Sequence, residues 1–132
     1  MLSRLVTLSV LALGVLLLAG CGPAKLNETK TLNLNGEFPA RAIDLPAQSK
    51  PQTIYIEFTS NGGEVSVYVF KEEDAKGDDM VSARATKAIA KVTDSKGDNF
   101  SVEIPENTAT RVVVRGGGRT ADVNLKITNQ KK

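Results

Sequence analysis

Apolar and polar residues alternate along most of the chain from residue 31 onward. A period of two places successive side chains on opposite faces of an extended strand, so the pattern predicts strands with one buried face. Such runs flank an Asn61-Gly62 pair, recur near residues 100–104 and 123–127, and are weaker at 32–34 and 43–45. The valines of the run at 111–115 are consecutive, which predicts a strand buried on both faces. The residues expected to face the core are Ile54, Ile56, Phe58, Val65, Val67, Val69, Phe100, Val102, Ile104, Val112, Val114, Val123, Leu125 and Ile127.

The Asn61-Gly62 pair between two alternating runs predicts a β-hairpin closed by a two-residue type I′ turn. In that register Ile56 faces Val67, while Tyr55 and Tyr68 form a cross-strand pair on the opposite face. A longer turn would mix the two faces, because a shift of one residue inverts every side chain. The tyrosine pair is a candidate binding face for a sugar or a protein partner; an ordinary cross-strand pair is the alternative.

Residues 78–92 fit two structures. Val81, Ala85 and Ile89 have helical spacing, whereas Ala90 and Val92 fit a strand beside the one near Phe100. Alanine is a poor strand residue, which favours a short helix near residues 79–90 or an irregular crossover. With about seven strands and no alternation of strands with helices, the chain is predicted to be all-β. The expected fold is a single antiparallel β-sandwich over residues 31–129, with a polar tail at 130–132.

Residues 1–20 follow a different pattern. Arg4 precedes an apolar run that is shorter than the roughly 20 residues of a membrane-spanning helix. A basic start, a short apolar stretch and small residues at its end are typical of a secretory signal peptide. Residues 21–30 are then a polar tether between this segment and the sandwich.

The sequence Leu18-Ala19-Gly20-Cys21 resembles the lipobox of bacterial lipoprotein precursors. The resemblance implies cleavage between Gly20 and Cys21, with diacylglycerol on the Cys21 thiol and a fatty acyl chain on the new N-terminus. More than one acyl chain gives stable anchoring in a bilayer. Gly22 stands where an Asp commonly retains such proteins in the inner membrane, so the resemblance favours the outer membrane.

Composition excludes several classes of site. The chain has no His and one Cys, which excludes Ser-His-Asp and Cys-His catalysis, His- or Cys-based zinc sites and a disulfide within the chain. Seventeen Lys and Arg against fifteen Asp and Glu leave a charge of +2, too balanced for a nucleic-acid-binding surface.

Carboxylates are the remaining candidates for chemistry. Glu72, Glu73, Asp74, Asp78 and Asp79 follow a predicted strand and are weak candidates for calcium ligands, but a solvated acidic loop is the favoured interpretation. Glycoside hydrolysis needs two carboxyl groups that face each other across a cleft, and a small sandwich offers little cleft. With six Phe and Tyr residues and no Trp, the chain also has little aromatic surface to stack on a sugar. We therefore expect no enzyme activity and no cofactor besides the covalent lipid.

Over residues 29–129 the order of segments resembles the bacterial pre-peptidase C-terminal-type domain. The similarity lies in residues 54–58, the turn and strand at 61–70, and the closing strand at 123–128. It implies a small, non-catalytic β-sandwich of exported proteins.

The expected function is that of an exported, lipid-anchored protein of the cell envelope, acting as a non-catalytic structural or binding accessory. Its partners would be the bilayer, through Cys21, and an envelope protein or polysaccharide. A calcium-dependent carbohydrate-binding module is the alternative, and an envelope hydrolase is less favoured.

Overall fold

The computed structural model describes residues 24–75 and 85–131. These residues form strands and two short 3₁₀ turns, and no helix among them is long and apolar enough to cross a membrane. The strands are β1 (Asn27–Leu34), β2 (Ala40–Leu45), β3 (Gln52–Gly62), β4 (Val65–Lys71), β5 (Ala90–Ser95), β6 (Gly97–Ile104), β7 (Thr110–Gly116) and β8 (Ala121–Thr128), and the turns are Glu72–Asp74 and Ala85–Lys87.

The strands form two four-stranded antiparallel sheets that pack face to face. Sheet I has the order β1-β8-β3-β6, and sheet II has the order β2-β7-β4-β5. Apart from β4 and β5, strands that follow each other in sequence lie in different sheets. This order is that of an eight-stranded jelly roll, so the predicted all-β sandwich is confirmed with one more strand than expected.

The core lies between the sheets and is built from the residues that the alternation predicts. Of the fourteen named above, all but Phe100 are buried, and Phe100 packs against the core from the edge strand β6. Four further residues complete it: Leu26, Leu34, Leu45 and Ala121. A period of two identifies the buried face of each strand reliably, because each strand of a sandwich has one face toward the other sheet.

The predicted hairpin at Asn61-Gly62 is wrong. β3 pairs with β6 and β8 in sheet I, whereas β4 pairs with β5 and β7 in sheet II. β3 continues through Gly62, which lies opposite Ala121 of β8, and the chain then crosses to the other sheet within residues 63–64. A hairpin and a connection that crosses between the sheets both place the same alternate residues in the core. The alternation of apolar and polar residues therefore does not distinguish the two connections.

The segment predicted as helix or strand contains both a turn and a strand. Ala85–Lys87 is a single 3₁₀ turn, and residues 79–84 lie outside the described part of the chain. From Ala90 the chain is β5, which pairs with β4 in sheet II and not, as the strand alternative expected, with the strand at Phe100.

The N-terminal segment is fixed to the sandwich by Asn129. Its side-chain oxygen accepts a hydrogen bond from the Leu26 N–H at 2.8 Å, and its amide nitrogen donates to the Ala24 carbonyl at 2.7 Å and to Gln52 Oε1 at 2.9 Å. Leu26 is buried, and β1 begins at Asn27. Residues 27–30, assigned from sequence to the tether, therefore belong to the first strand.

Candidate functional site

The outer face of sheet I is a polar surface with one aromatic ring. The register aligns Tyr55 of β3 with Ser101 of β6 and Thr128 of β8. In the next row Glu57 lies between Asn99 and Lys126. Partners in an antiparallel ladder share a face, so these six side chains stand together on the side of the sheet that faces away from the core.

These rows line a groove of about 440 Å³. Tyr55 is half-buried, and its neighbours supply hydroxyl, amide, carboxylate and ammonium groups. Gln130 and Lys131, just beyond β8, close one end. An aromatic ring beside several donors and acceptors can hold a ligand that has both an apolar face and hydroxyl groups, as sugars have.

A second groove of about 330 Å³ adjoins the first. The two share Lys126, Thr128, Gln130 and Lys131, and the second adds Lys25, Leu26 and Asn27 from the segment that Asn129 fixes. The grooves together form one trough along the end of sheet I at which the N-terminal segment enters the fold.

Tyr68 is on the other sheet, so the predicted pairing of Tyr55 with Tyr68 is wrong. Its neighbours in the ladder are Lys91 of β5 and Val113 of β7. Tyr68 is 8% exposed, its ring stacks on Phe70 at 5.9 Å, and the Arg115 guanidinium lies 5.0 Å from its centroid. It belongs to a small apolar cluster on the outer face of sheet II, where it has a packing role.

The segment after β4 covers this cluster. Ala75 is fully buried against it, and the Arg111 guanidinium donates hydrogen bonds to the Ala75 carbonyl and, at 2.6 Å, to Asp44 Oδ1. The hydrogen bond to Asp44 raises the pKa of Arg111 above its usual value. This arrangement fixes the 72–75 turn against sheet II.

The acidic residues of this turn do not converge. Glu72 and Glu73 are exposed and line a shallow groove with Lys71 and Asn107, and Asp74 is half-buried. Within residues 24–75 and 85–131, no group of three acidic or other ligating side chains is placed to hold a metal ion. The other two candidate ligands, Asp78 and Asp79, lie outside these ranges, as do Gly20 and Cys21 of the lipobox.

Sequence reasoning identified Tyr55 but missed its neighbours in the groove. The sequence does show that three of these neighbours face outward, because each occupies a polar position in an alternating strand: Ser101, Lys126 and Thr128. The pairing of β3 with β6 and β8 brings them to Tyr55, and this pairing joins segments far apart in sequence.

No protein-family model and no curated protein sequence matches the chain. Among solved structures, the pre-peptidase C-terminal domain of a collagenase from Bacillus anthracis is similar with a TM-score of 0.57 and 12% identity, over 77% of this chain and 89% of that one. The Yersinia pseudotuberculosis-derived mitogen gives 0.54 and 10%, over 81% and 88%. The periplasmic inhibitor of g-type lysozyme from Aeromonas hydrophila gives 0.50 and 12%, over 83% and 89%. At these identities the similarity establishes the β-sandwich fold alone, which the chain shares with this pre-peptidase C-terminal domain.

Proposed function

We propose that this chain is a lipid-anchored protein of the cell envelope, carried on the outer membrane, which acts as a non-catalytic binding accessory. Its ligand is an envelope polysaccharide that lies in the groove on the outer face of sheet I. The observation that carries the proposal is the half-buried Tyr55 ring among hydroxyl, amide and charged side chains of three neighbouring strands.

The anchor is supported by the signal-peptide pattern and the Leu18-Ala19-Gly20-Cys21 sequence. The fold is compatible with it, since hydrogen bonds hold the chain to the sandwich from Ala24 onward. Only Gly22 and Pro23 separate Cys21 from that point. At about 3.5 Å per residue the sandwich would stay within roughly 10–15 Å of an anchored Cys21.

A binding role agrees better with the groove than a hydrolytic one does. Among the described residues that line it, Glu57 alone carries a carboxylate. Glycoside hydrolysis uses two carboxyl groups about 5–10 Å apart on either side of the scissile bond. A single exposed carboxylate beside hydroxyl and amide groups is suited to hydrogen bonding of sugar hydroxyls.

The test is a binding measurement with polysaccharide purified from the native envelope. The protein is the chain from residue 21 onward with Cys21→Ser, which contains the whole fold because both apolar clusters lie between Leu26 and Ile127. Tyr55→Ala should weaken binding about tenfold or more, as loss of a central aromatic contact does. Its melting curve should show a folded domain, because Tyr55 lies outside both apolar clusters.

The matched control is Phe38→Ala. Phe38 is 45% exposed and lies in the β1–β2 loop, at the opposite end of the sandwich from Tyr55. Its loss removes a comparable aromatic surface and should leave binding unchanged. Equal effects of the two substitutions, or no effect of Tyr55→Ala, would refute the groove as the ligand site. Loss of binding in a chelator, restored by calcium, would favour the calcium-dependent alternative.

A further inference from the structure

The trough beside Tyr55 carries an excess of positive charge. Its lining includes the ammonium groups of Lys25, Lys126 and Lys131 but only one carboxylate, that of Glu57. The whole chain is nearly balanced, with seventeen basic and fifteen acidic side chains. The excess is therefore local to this surface and is not a property of the chain at large.

The three ammonium groups are available to a ligand. In the described part of the chain none of the three forms a salt bridge, whereas Lys30 pairs with Glu28 and Arg111 with Asp44. Lys126 and Glu57 are neighbours across the ladder and yet form no salt bridge there. Within residues 24–75 and 85–131, no ion pair neutralises this excess charge.

The pairing of β8 and the contacts of the N-terminal segment bring these lysines to one surface. Lys126 stands on β8, one row from Tyr55. Lys25 and Lys131 flank the contact between the N-terminal segment and Asn129, whose backbone N–H donates to the Leu26 carbonyl at 3.2 Å. Gln130, which precedes Lys131, donates from its side chain to Asn129 Oδ1 at 3.0 Å.

From this charge we infer that the polysaccharide bound beside Tyr55 is anionic, with phosphate or carboxylate groups that contact Lys126 and Lys131 while a sugar ring packs on Tyr55. The inference rests on the proposed function and adds the chemical class of the ligand. An ammonium group binds either anion as a point charge, so phosphate and carboxylate are both acceptable sources of the negative charge.

The test compares three probes that share one sugar backbone: neutral dextran, phosphorylated dextran and carboxymethyl dextran. The Cys21→Ser chain from residue 21 onward should bind the two charged dextrans at least tenfold more tightly than neutral dextran. Binding should weaken as salt rises from 0.05 to 0.5 M, because contacts between exposed charges are screened. The relative strength of the two charged probes identifies which anion the trough prefers.

The variant Lys126→Gln/Lys131→Gln should bind the charged dextrans roughly fivefold more weakly, because it loses two exposed charge contacts at once. The matched control is Lys91→Gln/Lys96→Gln, which removes the same charge at exposed positions on β5 and the β5–β6 connection. That control should change affinity less than twofold. Lys126→Arg/Lys131→Arg should retain binding, because the charge is kept.

Equal affinity for neutral and charged dextrans would overturn the anionic class while leaving the polysaccharide proposal intact. Binding that depends on the lysines but not on Tyr55, and that is matched by phosphatidylglycerol vesicles, would mean that the trough is a membrane-contact surface and would overturn the inference. Failure to bind any of the three dextrans would also overturn it. Loss of envelope-polysaccharide binding in Tyr55→Ala is a separate result, and it tests the proposed function alone.

Discussion

Tyr55 and Tyr68 occupy equivalent positions in their alternating segments but have different surroundings. Tyr55 is half-buried in a polar groove on sheet I, whereas Tyr68 is packed between Phe70 and Arg115 on sheet II. The difference comes from what covers each outer face: the turn at residues 72–75 covers part of sheet II, while polar residues surround Tyr55. An outward position is therefore not by itself a sign of an exposed side chain.

Gly62 is a residue whose replacement should destabilise the fold. Its φ is +110°, and a Cβ atom there would stand 2.5 Å from the carbonyl oxygen of Thr120, the residue just before β8. Gly62→Ala should lower the free energy of unfolding by more than about 1 kcal/mol, since it combines backbone strain with a clash against main chain. Denaturant unfolding would measure the change.

Gly36→Ala is the control for that substitution. A Cβ at Gly36 meets nothing within 4 Å, and its φ lies outside the left-handed region. The change in unfolding free energy should stay within about 0.5 kcal/mol. If Gly62→Ala proved as mild as Gly36→Ala, the close approach of β3 to β8 at the crossing would be wrong.

The sequence predicts the strands and their buried faces well, but it does not predict which strands pair with each other. Ile54, Ile56 and Phe58 are all buried as expected, because burial in a sandwich depends on alternation within one strand. Pairing depends on contacts between distant segments, such as β3 with β8. A short Gly-containing connection can close a hairpin or cross between sheets, and only the position of the other strands decides which occurs.

The same reasoning explains how much of the groove was predictable. Tyr55 is recognisable as an aromatic residue at an outward position, and the alternation places Ser101 and Thr128 outward as well. Their meeting in one row follows from the sheet order, which no local pattern encodes. The role of Asn129 in fixing residues 24–26 was also not predictable, because it depends on the start of β1 and the end of β8 lying together.

The N-terminal segment and the Tyr55 groove lie at the same end of the sandwich. Asn27 lies opposite Thr128, and Thr128 lies opposite Tyr55, so the groove is near the point where the chain would run to its anchor. If Cys21 is lipidated, the groove lies close to the membrane, and the loops at residues 35–39 and 117–120 point away from it.

Lipidation itself gives a prediction. Cys21→Ser should abolish incorporation of radiolabelled fatty acid and leave uncleaved precursor, because only the thiol can be alkylated by diacylglycerol and processing follows that step. Electrophoresis of the labelled chain in the native host would show both effects. Gly22→Ala, which leaves the thiol and the residues before it unchanged, should be labelled and processed normally; label on the Ser variant would disprove the anchor.

The proposed ligand position, on the outer face of sheet I beside Tyr55, can be tested residue by residue. The most direct measurement is an NMR titration of the isotope-labelled Cys21→Ser chain, from residue 21 onward, with purified envelope polysaccharide. We expect the largest amide shifts to cluster at Tyr55, Ser101 and Thr128, which share one row of the sheet. Shifts confined to Gly63 and Gly117 at the opposite end, or absent altogether, would contradict it.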